Sequence, residues 1–233
     1  MDFNKFLEIS RRLSEWLSFD DKIFFHETIA PIAKPYDRTE YILKLCKGKR
    51  VLHFGFTDSP FTEERIKNNE ILHLRIKGGA KDLWGTDIDK AAIKKYSGIT
   101  GDKNVFPLDI SKPVKNVGRY NKNFDLIVFG EVLEHVLNPG IALNNLARIC
   151  ASNRAQLLLT TPNAFNIGGF LAAWNGNEIV HPEHYYYFSP VTLRQLLNDT
   201  GFKDIKIYLY ASEATQDTKG ITAPGLIAIC KPR

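Results

Sequence analysis

Residues 124–136 read FDLIVFGEVLEHV, and the reading of this stretch decides the fold. Leu126, Ile127, Val128 and Phe129 form a short apolar run. Such a run reads as a strand buried on both faces, the pattern of a parallel sheet. It breaks at Gly130, and Glu131, Glu134 and His135 follow at once. If a helical turn begins near Glu131, all three project to a similar side. Acidic and imidazole groups at the carboxyl end of a parallel strand lie where open α/β sheets bind ligands. The plainer alternative is a solvated helix start, where the dipole favours glutamate.

The flanking sequence repeats the strand-then-helix rhythm. Toward the N-terminus, RVLHFGF (50–56), LWGTD (83–87) and NVFPLDI (104–110) read as strands. The charged stretch 62–77 and a helix over 90–96, capped by Asp89, lie between them. Toward the C-terminus come a helix over 139–150 and the strand AQLLLTTP (155–162). Ser189 and Pro190 then open a helix that leaves at Gly201, and two strands follow at 203–210 and 226–230. A polar connection, 211–225, separates the two. The alternation predicts an α/β doubly wound sheet. Residues 163–188, rich in Asn, Gly and aromatics, predict a lid or substrate wall. Residues 3–17 predict an amphipathic helix within an N-terminal extension, 1–47, that covers part of the core or supports a homo-oligomer.

The composition sets outer bounds. With 233 residues and 44% of them hydrophobic, one domain with an extension is expected. A charge of +5 is scattered along the chain, which gives no footprint for nucleic acid. Cys46, Cys150 and Cys230 are far apart and match no zinc spacing, so buried free thiols are expected. No segment reads as a membrane span or signal peptide, which places the chain in the cytoplasm.

In its pieces and their order, the chain resembles the class I S-adenosylmethionine-dependent methyltransferases. The pieces are VLHFGF, WGTDID, the strand end at Asp109, FDLIVFGEVLEHV, LLLTTPN and HPEHYYYFSPVTLRQLLNDTGF. They resemble most the group encoded beside polysaccharide and glycan synthesis genes. The resemblance implies a seven-stranded, mostly parallel sheet of order 3-2-1-4-5-7-6 with an antiparallel last strand, in residues 48–233. It implies S-adenosylmethionine as cofactor, with Gly55 and Phe56 at its amino-acid end. Asp87 with Ile88 would take the ribose, Asp109 with Ile110 the adenine, and Glu131 would stand nearest the cofactor. It further implies O-methylation of a sugar, a glycan precursor or another small hydroxyl acceptor.

Two uses remain open for the acidic and imidazole groups. His135, with Glu134, can serve as general base for the acceptor. Alternatively Glu131, Glu134, His135 and a later histidine, His181 or His184, can hold a divalent ion, the less favoured use. The first motif departs from the family. His53 stands for its acidic residue, only Gly55 of its glycines is present, and Thr57 and Asp58 occupy ground where the chain is usually small. That departure supports the competing expectation of a non-catalytic binding or scaffolding protein. A nicotinamide enzyme is disfavoured, since neither GxGxxG nor Tyr-x-x-x-Lys occurs.

Overall fold

The computed structural model describes residues 5, 8–9, 11–12, 36–211 and 223–233. The chain falls into two units, Met1–Pro31 and Ile32–Arg233, and the second carries the fold. Most of the helix expected over 3–17 and of the connection 211–225 lies outside the described residues; residues 5, 8–9 and 11–12 are helical.

One sheet organises the second unit. Its strands are β1 (Tyr36–Asp37), β2 (Arg50–Phe54), β3 (Asp82–Asp87), β4 (Val105–Pro107), β5 (Leu126–Gly130), β6 (Gln156–Pro162), β7 (Phe202–Ala211) and β8 (Gly225–Pro232). They lie in the order β1-β7-β8-β6-β5-β2-β3-β4. The pairings are parallel except β6 with β8 and β7 with β8. The sheet therefore has eight strands rather than seven, and the stated order is extended at one edge. The addition is β1, two residues paired with Tyr210 and Ala211 outside β7. A strand of two residues carries no periodicity, which is why the sequence does not announce it.

Among the described residues the second unit has seven α-helices: α1 (Arg38–Cys46), α2 (Thr62–Lys67), α3 (Leu72–Lys77), α4 (Lys90–Thr100), α5 (Pro139–Asn153), α6 (Ile167–Trp174) and α7 (Pro190–Asp199). The stretch 62–77 is two helices, because Asn69 takes a left-handed conformation, φ 57°, between them. Caps fix the others. Asp37 accepts from Glu40 N at 2.8 Å, and Asp89 accepts from Ala91 N and Ala92 N at 2.9 and 3.0 Å. Ser189 and Thr192 form a reciprocal capping box in front of Pro190. β1 and α1 belong to the second unit.

The apolar strand runs divide between two faces, as a period of two requires. Leu52, Phe54, Ile127, Phe129, Leu157 and Leu159 face the layer of α5 and α7. Val51, Leu126, Val128 and Leu158 face Ile42 and Cys46 of α1 and Ile76 of α3. Both faces are covered, so the strands need no polar alternation, and their carboxyl ends are left to form the site. All three cysteines are buried free thiols. Among the described residues no helix is long and apolar enough to cross a membrane.

Candidate active site

The carboxyl ends of β2, β3 and β4 open onto a cleft of about 260 Å³. Gly55, Asp87, Ile88, Asp109, Ile110, Val132, His135 and Tyr185 are among its lining residues. Gly55 has φ 67° and donates its N–H to Thr86 O at 2.9 Å. A Cβ there would collide with Val132 Cγ2, so glycine is required both for the turn and for the space.

The altered loop after β2 is firmly held. Thr57 is buried, and its hydroxyl and amide both donate to Asp87 Oδ2, at 2.8 and 3.2 Å. Asp58 takes the left-handed conformation, φ 51°, that a glycine would otherwise supply. Its carboxylate accepts from Arg65 at 3.2 Å. Asp87 Oδ1 accepts the Asp89 amide at 3.0 Å, so the carboxylate at the end of β3 is oriented from both sides. At the end of β4, Asp109 accepts from Ser111 and pairs with Lys112 at 2.9 Å. Burial pushes the Asp109 carboxyl up, but Ser111 and Lys112 together outweigh it and hold it below its ordinary value. Buried Asn145 of α5 fastens this wall from behind: its side chain accepts Val114 N and donates to Ile110 O and Lys112 O.

Phe56 does not face the cleft. It is 1% exposed and packs edge-on against Tyr96 and beside His73. His53, in the position of the family's acid, is buried too, with Nδ1 3.2 Å from Nδ1 of His73. Burial and then His73 lower the His53 imidazole, and burial and then Lys77 lower that of His73, to about 3.

The turn after β5 differs from the expected helix start. Gly130 stays within the strand, and Glu131 makes the exit in a left-handed conformation, φ 54°. A single 3-10 turn, Leu133–His135, follows. Glu131, Glu134 and His135 consequently point to three different places. Glu131 turns to Arg38, 3.7 Å away, an ion pair without a hydrogen bond, which leaves Glu131 Oε1 buried and without a hydrogen bond. Glu134 is fully buried and accepts from Thr161 Oγ1 at 3.0 Å. Burial, reinforced by Glu131, pushes its carboxyl up to about 8, so it is largely protonated at neutral pH. Glu134 therefore cannot touch an acceptor in this geometry.

His135 alone of the three reaches the cleft, and it meets His181 and His184 there. Their ring centroids lie 5.6 and 4.6 Å from its own. The segment that brings them is tied down by Tyr185 N donating to Glu134 O and Tyr186 Oη donating to Leu137 O, both at 2.9 Å. Burial and then His181 lower the His135 imidazole, and burial and then His135 and His181 lower that of His184. Earlier in the same segment, Phe165, Phe170, Leu171, Trp174 and Ile179 are exposed apolar side chains.

On the far side of Gly55 lies a polar hollow of about 160 Å³ that includes Arg38, Asp58, Arg65, Arg75 and Gly130. Arg38 donates to Thr160 Oγ1 at 3.0 Å. A Cβ on Gly130 would sit 2.9 Å from Arg38 Nη2, so this glycine makes room for the guanidinium. Sequence reasoning did not single out Arg38. It starts a helix remote from every motif, and only the sheet brings it beside β5 and β6. Thr57 gave a misleading signal, since it stands in a loop usually built of glycine.

The sequence matches the family described as "Methyltransferase domain" over residues 24–207. The protein belongs to that family. No curated protein matches it at a significant level. Among solved structures, this methyltransferase is similar to a SAM-dependent methyltransferase from Archaeoglobus fulgidus. The identity is 19%, over 93% of this chain and 99% of that one, with a TM-score of 0.51. A SAM-dependent methyltransferase from Thermotoga maritima gives 13% identity, 84% and 87% coverage and a TM-score of 0.58. Magnesium protoporphyrin IX methyltransferase from Synechocystis, with bound SAH, gives 14%, 84% and 82%, and 0.52. At these identities the likeness is one of fold.

Proposed function

We propose that the protein transfers the methyl group of S-adenosylmethionine to a hydroxyl of a small acceptor, a sugar being one such acceptor. One observation carries this reading: Gly55, the oriented carboxylates of Asp87 and Asp109, and His135 line one cleft. Asp87 is placed to accept from the ribose diol and Asp109 from the adenine amine, with Ile88 and Ile110 against the ring faces. The polar hollow beyond Gly55 suits the cofactor's amino-acid end. Arg38 there meets the carboxylate, and Glu131 Oε1, buried without a hydrogen bond, is satisfied by the ammonium. The cofactor brings an electrophilic sulfonium methyl. An acceptor oxygen attacks it in line, and the C–S bond breaks to leave a thioether. The neutral imidazole of His135 takes the acceptor's proton. Glu134 acts as a positioning residue, holding Tyr185 through its carbonyl and Thr161 through its carboxyl.

The acceptor side is aromatic and carries little charge. Tyr185 lines the cleft, Trp174 is exposed in the wall, and no Lys or Arg occurs between residues 155 and 193. Flat or ring-shaped acceptors suit such surfaces. The scaffolding alternative rested on the missing glycines, and Thr57 and Asp58 supply what those glycines would. The test is conversion of S-adenosylmethionine to the thioether product over a panel of sugars, nucleotide sugars and phenols, for the wild type and His135→Ala. An acceptor turned over by the wild type and about 10²–10⁴-fold more slowly by the variant supports the reading. Equal turnover by both removes His135 from the chemistry.

A further inference from the structure

We propose that His135, His181 and His184 form a three-imidazole site for a divalent transition metal at the acceptor end of the cleft. One ligand atom from each ring can be chosen so that all lie within 4.8 Å of one another. Around a tetrahedral ion with bonds of ~2.0–2.1 Å, the nitrogens would stand about 3.3–3.4 Å apart. Small rotations of three partly exposed or exposed rings close that gap. The rings come from two segments far apart in the chain, and the scaffold joining them is built independently of any ion. Tyr185 N on Glu134 O and Tyr186 Oη on Leu137 O lock the lid onto the turn that carries His135. His184 N donates to His181 O at 3.0 Å and sets the spacing of the other two rings.

The donor set selects the metal. Three imidazoles without a carboxylate suit Zn²⁺, Co²⁺, Ni²⁺ or Cu²⁺ and are poor ligands for Mg²⁺ or Ca²⁺. Glu131 and Glu134, the other candidates from the sequence, are directed elsewhere, to Arg38 and to Thr161. Glu183 remains beside the site, its carboxylate 3.9 Å from His135 Nδ1, where it can orient that ring. His181 Nδ1 accepts the Glu183 amide at 3.3 Å, a long hydrogen bond that a metal on that nitrogen would displace. Three protein ligands leave one position open toward the cleft. A metal there would lower the pKa of an acceptor hydroxyl, Glu183 or water would take the proton, and the methyl would pass to the oxygen as the C–S bond breaks to the thioether. In the metal-free protein His135 is the base; with the ion bound it is a ligand. This role rests on the methyltransferase reading; the binding of metal does not.

The test is titration of the metal-free full-length protein with Co²⁺, followed by its visible ligand-field bands, and competition by Zn²⁺. One equivalent per chain, displaced by Zn²⁺ and lost in His181→Ala and in His184→Ala, is the expected result. His181 is exposed, so its replacement should leave the fold intact, which circular dichroism checks on each variant. Binding by the wild type no tighter than by the folded triple variant His135→Ala/His181→Ala/His184→Ala overturns the site. Binding of S-adenosylmethionine, measured on the same samples by calorimetry, separates the two readings. Metal bound without cofactor binding refutes only the methyltransferase role, and cofactor binding without metal refutes only the site.

Discussion

The buried pair His53 and His73 makes this fold acid-sensitive in a defined window. The rings are 2% and 0% exposed, and their Nδ1 atoms share at most one proton across 3.2 Å. Protonating either ring fully places a cation in the core beside Phe56 and Tyr96. Both folded values lie below the ordinary 6.5, His73 at about 3. The unfolded chain therefore binds more protons than the folded one below pH 6.5. This contribution to stability is complete above that pH and is lost as the pH falls through it. Each imidazole that stays neutral gives a slope of about 1.4 kcal/mol per pH unit. Between pH 6.5 and 4.5 that amounts to about 2.7 kcal/mol for His73, and His53 adds to it in the same direction. A domain has about 5–15 kcal/mol in total, so a marked loss of stability by pH 4.5 is expected. Urea denaturation at pH 7.5, 6.5, 5.5 and 4.5 measures it. In His73→Gln, which removes that imidazole, the pH-dependent loss over this range should fall by about 2.7 kcal/mol. An unchanged slope in that variant would refute the reasoning.

Other predictions follow from the site. Gly130→Ala places a methyl against Arg38 Nη2, so it should weaken S-adenosylmethionine binding, measured by calorimetry, in the same direction as Arg38→Ala. Asn145→Ala leaves the Val114 amide and the Ile110 and Lys112 carbonyls without their partner. It should cost about 1–3 kcal/mol in denaturant unfolding and loosen the Asp109 wall. Because its surroundings lower the His135 imidazole, turnover by the metal-free enzyme should hold as pH falls through 6.5 and decline only below it. A rate that declines already above pH 7 would show a different base.

The sequence carries the sheet because a strand buried on both faces must be written in consecutive apolar residues, as in Leu126 to Phe129. It brings Asp87, Asp109 and His135 to one cleft because strand ends in an open parallel sheet have one destination. It does not carry the exit from β5. Gly130 looks like the residue that bends the chain, but it is needed for the approach of Arg38, and Glu131 makes the turn. From there a 3-10 turn scatters three side chains that α-helical spacing would have aligned. Phe56 and Glu134 turn into the core, since one-dimensional proximity to a motif does not tell which way a loop side chain faces. His181 and His184 stood as alternatives for one ligand position; the tight turn between them brings both rings to His135.

The central claim is that this cleft holds S-adenosylmethionine on the carboxylate of Asp87. Isothermal titration of the wild type and of Asp87→Ala with S-adenosylmethionine tests it most directly. One equivalent bound by the wild type, and affinity about 10–100-fold weaker in the variant, is the result predicted for a charge-assisted hydrogen bond. No heat of binding with the wild type, or equal affinity in both proteins, would contradict it.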